Sequence, residues 1–182
     1  MKRSSALRLV LAAMFTALGI LLPMAFHLLP PVPPFGQLGM VLLPMHIPVL
    51  LCGFIIGSQY GALTGFIVPL LASAITGRPM FWPIAAAMAL ELAAYGFFAG
   101  FLSRRFNTVI SLVGAMLAGR VVMGLANVIL LGISGESYGF STFITAAFVT
   151  ALPGIVIQLI IIPVILYALN RTNAVKRLSS NG

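Results

Sequence analysis

Apolar runs long enough to cross a bilayer recur along the whole chain, separated by short breaks that contain Gly, Pro, Arg or Lys. A helix of about 20 apolar residues spans the hydrocarbon core, and an ordinary soluble domain does not contain a series of them. The composition agrees, since 61% of the 182 residues are hydrophobic and 7% are charged. We therefore predict an all-α membrane protein in which residues 1–182 form a single integral membrane domain.

Polar and Pro-rich breaks divide the chain into six predicted transmembrane helices in one bundle. Residues 40–75 contain no strongly polar break, yet 36 residues of helix would measure about 54 Å, far more than the roughly 30 Å core. The chain must turn there, and "GSQYG" at 57–61 is the best place. Pro44 and Pro48 predict a kinked or broken start of the second span. The predicted spans are 6–26, 40–57, 62–75, 81–102, 109–131 and 143–169.

The N-terminus and the other basic residues predict the orientation. A basic start followed by an apolar run resembles a signal peptide, but residues 9–22 lack a clear cleavage site, so we interpret the run as a retained first span. With a cytoplasmic N-terminus, only Arg78 is outside and only Arg120 lies within a span. The positive-inside rule then places both termini in the cytoplasm, and the net charge of +8 reflects topology, not nucleic-acid binding. Eight basic residues lie inside: Lys2, Arg3, Arg8, Arg104, Arg105, Arg171, Lys176 and Arg177.

Two opposite charges fall near the middle of neighbouring predicted spans. Glu91 lies in the fourth and Arg120 in the fifth, at matching depth in an antiparallel pair. A charge at the bilayer midplane is costly unless it is paired or faces a wet cavity, so we expect the two to pair. Two interpretations stay open: a structural ion pair that fixes helix register, or a site in which Arg120 also faces a ligand anion.

Further polar and aromatic residues are candidates for a central site. Gly124 and Asn127 follow Arg120 at i+4 and i+7, so the three share a helix face. Gly124 could equally serve close helix packing, a membrane histidine often bonds a neighbouring helix, and a membrane tryptophan can be an interfacial anchor. The candidate substrate-binding residues are Arg120, Asn127, Glu91, His46, Trp82, Tyr95 and Gln158.

No catalytic motif is visible. The chain has no aspartate, no HExxH, no GxSxG with partners and no phosphate-binding loop, so we predict no catalytic residue, no metal site and no cofactor in this chain. The single cysteine, Cys52, excludes an internal disulfide. A polar pocket among six helices without an ATP site suggests a binding subunit that depends on a partner.

The segment from "LLPMHIP" to "YGFFAGFL" resembles the vitamin-binding S components of energy-coupling factor (ECF) transporters. The shared features are "MHIP", "GRPMFWP", "ELAAYG", "AGRVVMG" and a ladder of glycines, Gly53, Gly57, Gly61 and Gly65. The resemblance implies a six-helix bundle that captures a vitamin near the outer surface of a bacterial or archaeal plasma membrane. It also implies a transmembrane coupling protein and two ATPase subunits as partners, with ATP used by those subunits.

The resemblance further implies where partner and substrate bind. A small-residue Ala-x-x-x-Ala motif on the first helix contacts the coupling protein, and "AMFTA" matches it with Ala13 and Ala17. Loops 28–39, 76–80 and 132–142 would gate the site. Arg120 favours an anionic vitamin such as pantothenate, although other vitamins or precursors stay open because Glu91 can neutralise it. Two alternatives are a self-sufficient carrier or channel, and an intramembrane enzyme using Glu91 and His46.

Overall fold

The structure is a computed structural model that describes residues 3–28, 43–133, 135 and 139–171. Regular structure in these ranges is entirely helical, as the all-α prediction requires. Two π-helical segments, Phe81–Ala85 and Thr145–Thr150, precede longer helices. The α-helices are α1 Arg3–His27, α2 His46–Ile56, α3 Ser58–Thr76, α4 Ala86–Leu102, α5 Thr108–Ile133, α6 Phe140–Ile144 and α7 Leu152–Arg171.

Five helical stretches in the described part of the chain are long and apolar enough to cross a membrane, which makes this a membrane protein with several spans. They are Ser5–Phe26, Ser58–Thr76, Phe81–Leu102, Thr108–Ile133 and Leu152–Arg171. The predicted second span is instead the short α2 of 11 residues, about 16 Å long. Its start agrees with the expected effect of Pro44, because a turn at residues 44 and 45 precedes the helix. The structure therefore leaves the count of six spans a prediction.

The predicted sixth span joins elements that the structure separates. Residues 143–169 cover the end of α6, the π-helical segment, a turn at Ala151 and most of α7. Pro153 explains the division, since a proline near a helix start clashes with the carbonyl four residues earlier and cannot continue the preceding helix. Prolines within α1, α3 and α7 are tolerated by contrast, and those helices run on through them.

The predicted turn between the second and third spans is confirmed but is tighter than expected. It consists of Gly57 alone, with φ 122° and ψ 171°, and α3 begins at the next residue. A residue with a Cβ is strained at such a positive φ, so this position requires glycine. The hydrogen bonds from the Gly57 amide to the carbonyls of Cys52 and Gly53 end α2.

A seam of glycines joins α2, α3 and α4. A Cβ added to Gly61 would collide with the backbone of Gly96 and of Gly53, and a Cβ on Gly96 would collide with the backbone of Gly61. A Cβ on Gly65 would likewise collide with the backbone of Leu92. Such contacts bring helix backbones together without intervening side chains, as in other close membrane helix pairs. We call this contact the glycine seam.

The remaining long helices surround this group of three. The first helix, α1, packs on α2 and α3, α5 packs on α4, and α7 makes smaller contacts with α2 and α5. Most of α1 is exposed outside these contacts. The buried apolar core lies among α2, α3, α4, α5 and α7 and includes Leu50, Val68, Leu92, Leu112 and Ile162.

Candidate functional site

The predicted pairing of Glu91 and Arg120 is confirmed. Arg120 Nη1 donates a hydrogen bond to Glu91 Oε1 over 2.9 Å. The two side chains, on α4 and α5, are only 4% and 6% exposed. Each charge is therefore offset by the other inside an apolar bundle, where either one alone would be expensive.

Two more of the predicted site residues lie against this ion pair. His46 begins α2, and its Nε2 lies 3.8 Å from Glu91 Oε1. Tyr95 lies one turn beyond Glu91 on α4, with its ring 5.2 Å from the His46 ring and 5.9 Å from the Arg120 guanidinium carbon. Three helices thus bring together the buried polar cluster, which we define as His46, Glu91, Tyr95 and Arg120.

The position of Tyr95 depends on a glycine of the neighbouring helix. Its ring packs against Gly119 on α5, where an added Cβ would lie 2.5 Å from two ring carbons. Gly119 immediately precedes Arg120, so the space left for the tyrosine also sets the approach of the arginine. The ring is 1% exposed. The glycine before Arg120 therefore shapes the cluster.

Several nitrogen atoms in this region are buried without a hydrogen-bond partner among the described residues. Both ring nitrogens of His46, Nε of Arg120 and Nε2 of Gln158 are in this state. Gln158 is 1% exposed and belongs to α7, which packs against the helices of His46 and Arg120. A buried donor without a partner costs about 1–3 kcal/mol. The cluster and Gln158 thus have hydrogen-bonding capacity that the described residues do not use.

Two of the sequence candidates differ from the cluster in exposure. Trp82 is 45% exposed and has an extended backbone, with φ −123° and ψ 134°, at the start of the π-helical segment before α4. Asn127 lies two turns beyond Arg120 on α5 and is half-buried. Neither side chain is enclosed to the extent of the cluster.

Two contacts of the site were missed by sequence reasoning. Arg120 Nη1 also donates to the thioether sulfur of Met123 over 3.4 Å. The i+3 spacing of these two residues could have indicated this contact. The second contact is the ring of Phe143 on α6, which lies so close to Gly124 that an added Cβ would be 2.8 Å from it. No local sequence pattern indicates this contact between distant parts of the chain. The close approach of the Phe143 ring accounts for the glycine at position 124.

The structure places both predicted partner-binding residues on an open face of α1. Ala13 and Ala17 are exposed, whereas Ala12 and Gly19 are buried. Gly19 faces α3, where an added Cβ would lie 2.9 Å from Val68. The face of α1 that carries Ala13 and Ala17 is therefore directed away from the rest of the bundle.

A cavity of about 440 Å³ lies between α1 and α3, near Arg78. It touches no member of the buried polar cluster; its lining residues are Ile20, Pro23, Met24, Leu28, Ala72, Thr76 and Arg78.

Within the described ranges, no three His, Cys, Asp or Glu side chains are grouped so as to hold a metal ion. Cys52 is buried and shares a 3.4 Å hydrogen bond with the hydroxyl of Thr64.

Comparison with known protein families places the chain in a transport system. A family described as "ECF transporter, substrate-specific component" matches residues 7–166. No curated protein and no solved structure matches the chain. The match covers all five long helical stretches for most or all of their length, together with the whole buried polar cluster. The chain therefore belongs to the family of substrate-specific components of ECF transporters.

Proposed function

We propose that this protein captures a water-soluble vitamin or vitamin precursor at the outer face of the plasma membrane of a bacterium or archaeon. In this proposal both termini are cytoplasmic, so the end of the bundle near Arg78 is the outer end. The substrate then passes inward through a transmembrane coupling protein driven by two ATPase subunits. The family match supports the substrate-binding role.

The unpartnered nitrogens of the buried polar cluster and of Gln158, on the neighbouring helix α7, are the observation that carries the proposal. A purely structural ion pair needs no additional hydrogen-bonding groups, yet His46, Arg120 and Gln158 together bury four nitrogens without a partner among the described residues. A substrate that supplies matching hydrogen-bond acceptors and donors would recover the free energy lost by burying them. We therefore place the substrate between the buried polar cluster and Gln158.

Dependence on a partner is supported by the exposed face of α1. Ala13 and Ala17 are one turn apart and both exposed, so a second helix could approach closely there. The sequence contains no phosphate-binding loop, so energy for transport would come from the ATPase subunits. This arrangement favours a binding subunit over a self-sufficient carrier.

The proposal is tested by separating binding from transport. The purified protein should retain one small molecule, identified by mass spectrometry after denaturation, and should bind it again in detergent. Proteoliposomes should accumulate that compound only when the coupling protein, both ATPases and ATP are present. Accumulation by this chain alone would instead identify a self-sufficient carrier. Absence of any retained or bound vitamin would contradict the binding role.

A further inference from the structure

The charges in the buried polar cluster sum to zero while His46 is neutral. Arg120 contributes one cation and Glu91 one anion, at 2.9 Å. The described ionisable groups in contact with His46 are Glu91 and Tyr95 from α4, and Arg120 from α5 contacts both of these. The other ionisable side chain on α2, the thiol of Cys52, is hydrogen-bonded to the hydroxyl of Thr64. The described ionisable side chains of α1, α3 and α7, which also pack on α2, lie towards helix ends: Arg8, Tyr60, Tyr167 and Arg171.

One edge of the Arg120 guanidinium carries a buried donor, Nε, that no described residue uses, and we call it the open edge for that reason. Its Nη1 is occupied by Glu91 and Met123, whereas Nε has no hydrogen-bond partner among the described residues. The Nε and Nη2 hydrogens form a fixed fork that fits the two oxygens of a carboxylate. Arg120 can therefore hold Glu91 at one end and accept a second planar anion along this edge.

A second carboxylate would leave the buried cluster with a net negative charge. An uncompensated charge in an apolar interior is strongly unfavourable, so the cluster would take up a compensating cation. His46 is suited to provide it, because its Nε2 lies 3.8 Å from Glu91 Oε1 and neither ring nitrogen has a hydrogen-bond partner. A proton taken from solvent onto His46 would give two cations facing two carboxylates.

We propose that the buried polar cluster binds a carboxylate group of the substrate on the open edge of Arg120 together with one proton, which His46 holds next to Glu91. This inference rests on the proposed binding function and narrows the substrate to a carboxylic acid. It also predicts that substrate affinity depends on pH, although transport itself uses ATP.

The sign of the pH dependence follows from proton uptake. Because the bound state carries one more proton than the free protein and free anion, affinity falls as pH rises. A linkage of one proton corresponds to at most about tenfold in affinity per pH unit. A carboxylic acid with an ordinary pKa of about 4 stays ionised above pH 6, so the ligand does not supply this dependence. A neutral analogue should show none.

The test uses matched pairs of acid and neutral compounds. The probes are pantothenate and panthenol, nicotinate and nicotinamide, and biotin and biotinamide, together with any compound retained on purification. Titration calorimetry of the intact protein at about pH 8, where free histidine is neutral, is repeated in buffers with different ionisation enthalpies. We expect an acid to bind at least about tenfold more tightly than its neutral analogue, with uptake of close to one proton.

Histidine variants assign the proton. His46→Gln should still bind the acid, more weakly, without proton uptake and with a flat pH profile. The chain's other histidine provides the control, since His27→Gln should keep the uptake of the wild-type protein. Should His46→Gln fail to fold, His46→Asn takes its place, and the wild-type calorimetry still decides whether one proton is taken up with the acid.

Three results would overturn the inference: a neutral analogue that binds as tightly as its acid, an acid that binds without proton uptake, or a retained compound without a carboxylate. In each of these cases the protein still binds a small molecule, so the proposed function stands. If the protein instead retains no compound and binds no vitamin, the proposed function fails and this inference fails with it.

Discussion

Arg120 on α5 and Glu91 on α4 form a 2.9 Å ion pair that is almost completely buried. Removing one partner of a buried pair typically costs about 3–5 kcal/mol, because the other charge stays unpaired. Alanine replacement would therefore confuse loss of folding with loss of binding. Variants that keep one charge on each side separate the two effects.

Arg120→Lys keeps a cation opposite Glu91 and removes the open guanidinium edge. We expect the melting temperature in detergent to change little, while substrate affinity falls at least about tenfold, since a lysine cannot bind a carboxylate in the bidentate manner. Calorimetry and thermal unfolding of the same preparation measure both quantities. Wild-type affinity in the lysine variant would show that the open edge is not used.

Exchanging the charges, with Arg120→Glu combined with Glu91→Arg, tests the alternative of a structural ion pair. The pair can re-form, so the protein should fold, but the cation now projects from α4. We expect affinity to fall about a hundredfold, the equivalent of a few kcal/mol. If the exchanged protein folds and binds substrate with near wild-type affinity, the ion pair has a structural role in fixing helix register and does not bind the substrate.

Gln158→Met separates a substrate contact from a structural hydrogen bond. The Gln158 amide nitrogen is buried without a partner among the described residues, so replacing it with an apolar side chain of similar size should leave stability unchanged or raise it by about 1 kcal/mol. Affinity should fall about tenfold if the substrate accepts a hydrogen bond there. Reduced stability with unchanged affinity would point to a structural role.

Gly96→Ala tests the glycine seam between α3 and α4. The added methyl group would collide with the backbone of Gly61, and overpacking typically costs about 1–3 kcal/mol. Gly132→Ala is the matched control, because nothing lies within 4 Å of a Cβ added there and alanine favours a helix. We expect a lower melting temperature for the first variant only. Equal melting temperatures would contradict backbone contact at the seam.

Ala13→Leu with Ala17→Leu tests the proposed contact with the coupling protein. Both positions are exposed on α1, so larger side chains should leave the fold and substrate binding intact while blocking close helix approach. Uptake by the reconstituted complex should be lost. Ala168→Leu, at an exposed position of α7, is the control and should transport normally. Unchanged uptake by the double variant would place the partner elsewhere.

Helix positions could largely be predicted from the sequence, because the thickness of a bilayer fixes how long an apolar run must be. The predicted fourth span, 81–102, coincides with the stretch Phe81–Leu102, and the predicted turn lies at Gly57. The broken start of the second span was predicted from Pro44 and Pro48, and α2 begins only after a turn at residues 44 and 45. The division before α7 was not predicted, because the hydrophobic run continues through it and the local effect of Pro153 ends the preceding helix.

The pairing of Glu91 with Arg120 could be predicted, but the direction in which the other site residues face could not. Glu91 and Arg120 were matched by their distance along neighbouring spans, and the structure joins them. Helices that are apolar on every side give no signal of rotation about their axes. The half-buried Asn127 and the exposed Trp82 illustrate this. The packing of Phe143 on Gly124 depends on a distant part of the chain.

The glycine seam also has a mechanical consequence. Where backbones touch directly there are no rotamers to rearrange, so α2, α3 and α4 should move as one rigid body that carries His46, Glu91 and Tyr95. The contacts of α7 with α2 and α5 are much smaller, which makes α7 the helix that can separate at least cost. Opening along that side would separate α7 from α2 and α5, while the ion pair between Glu91 on α4 and Arg120 on α5 stays closed.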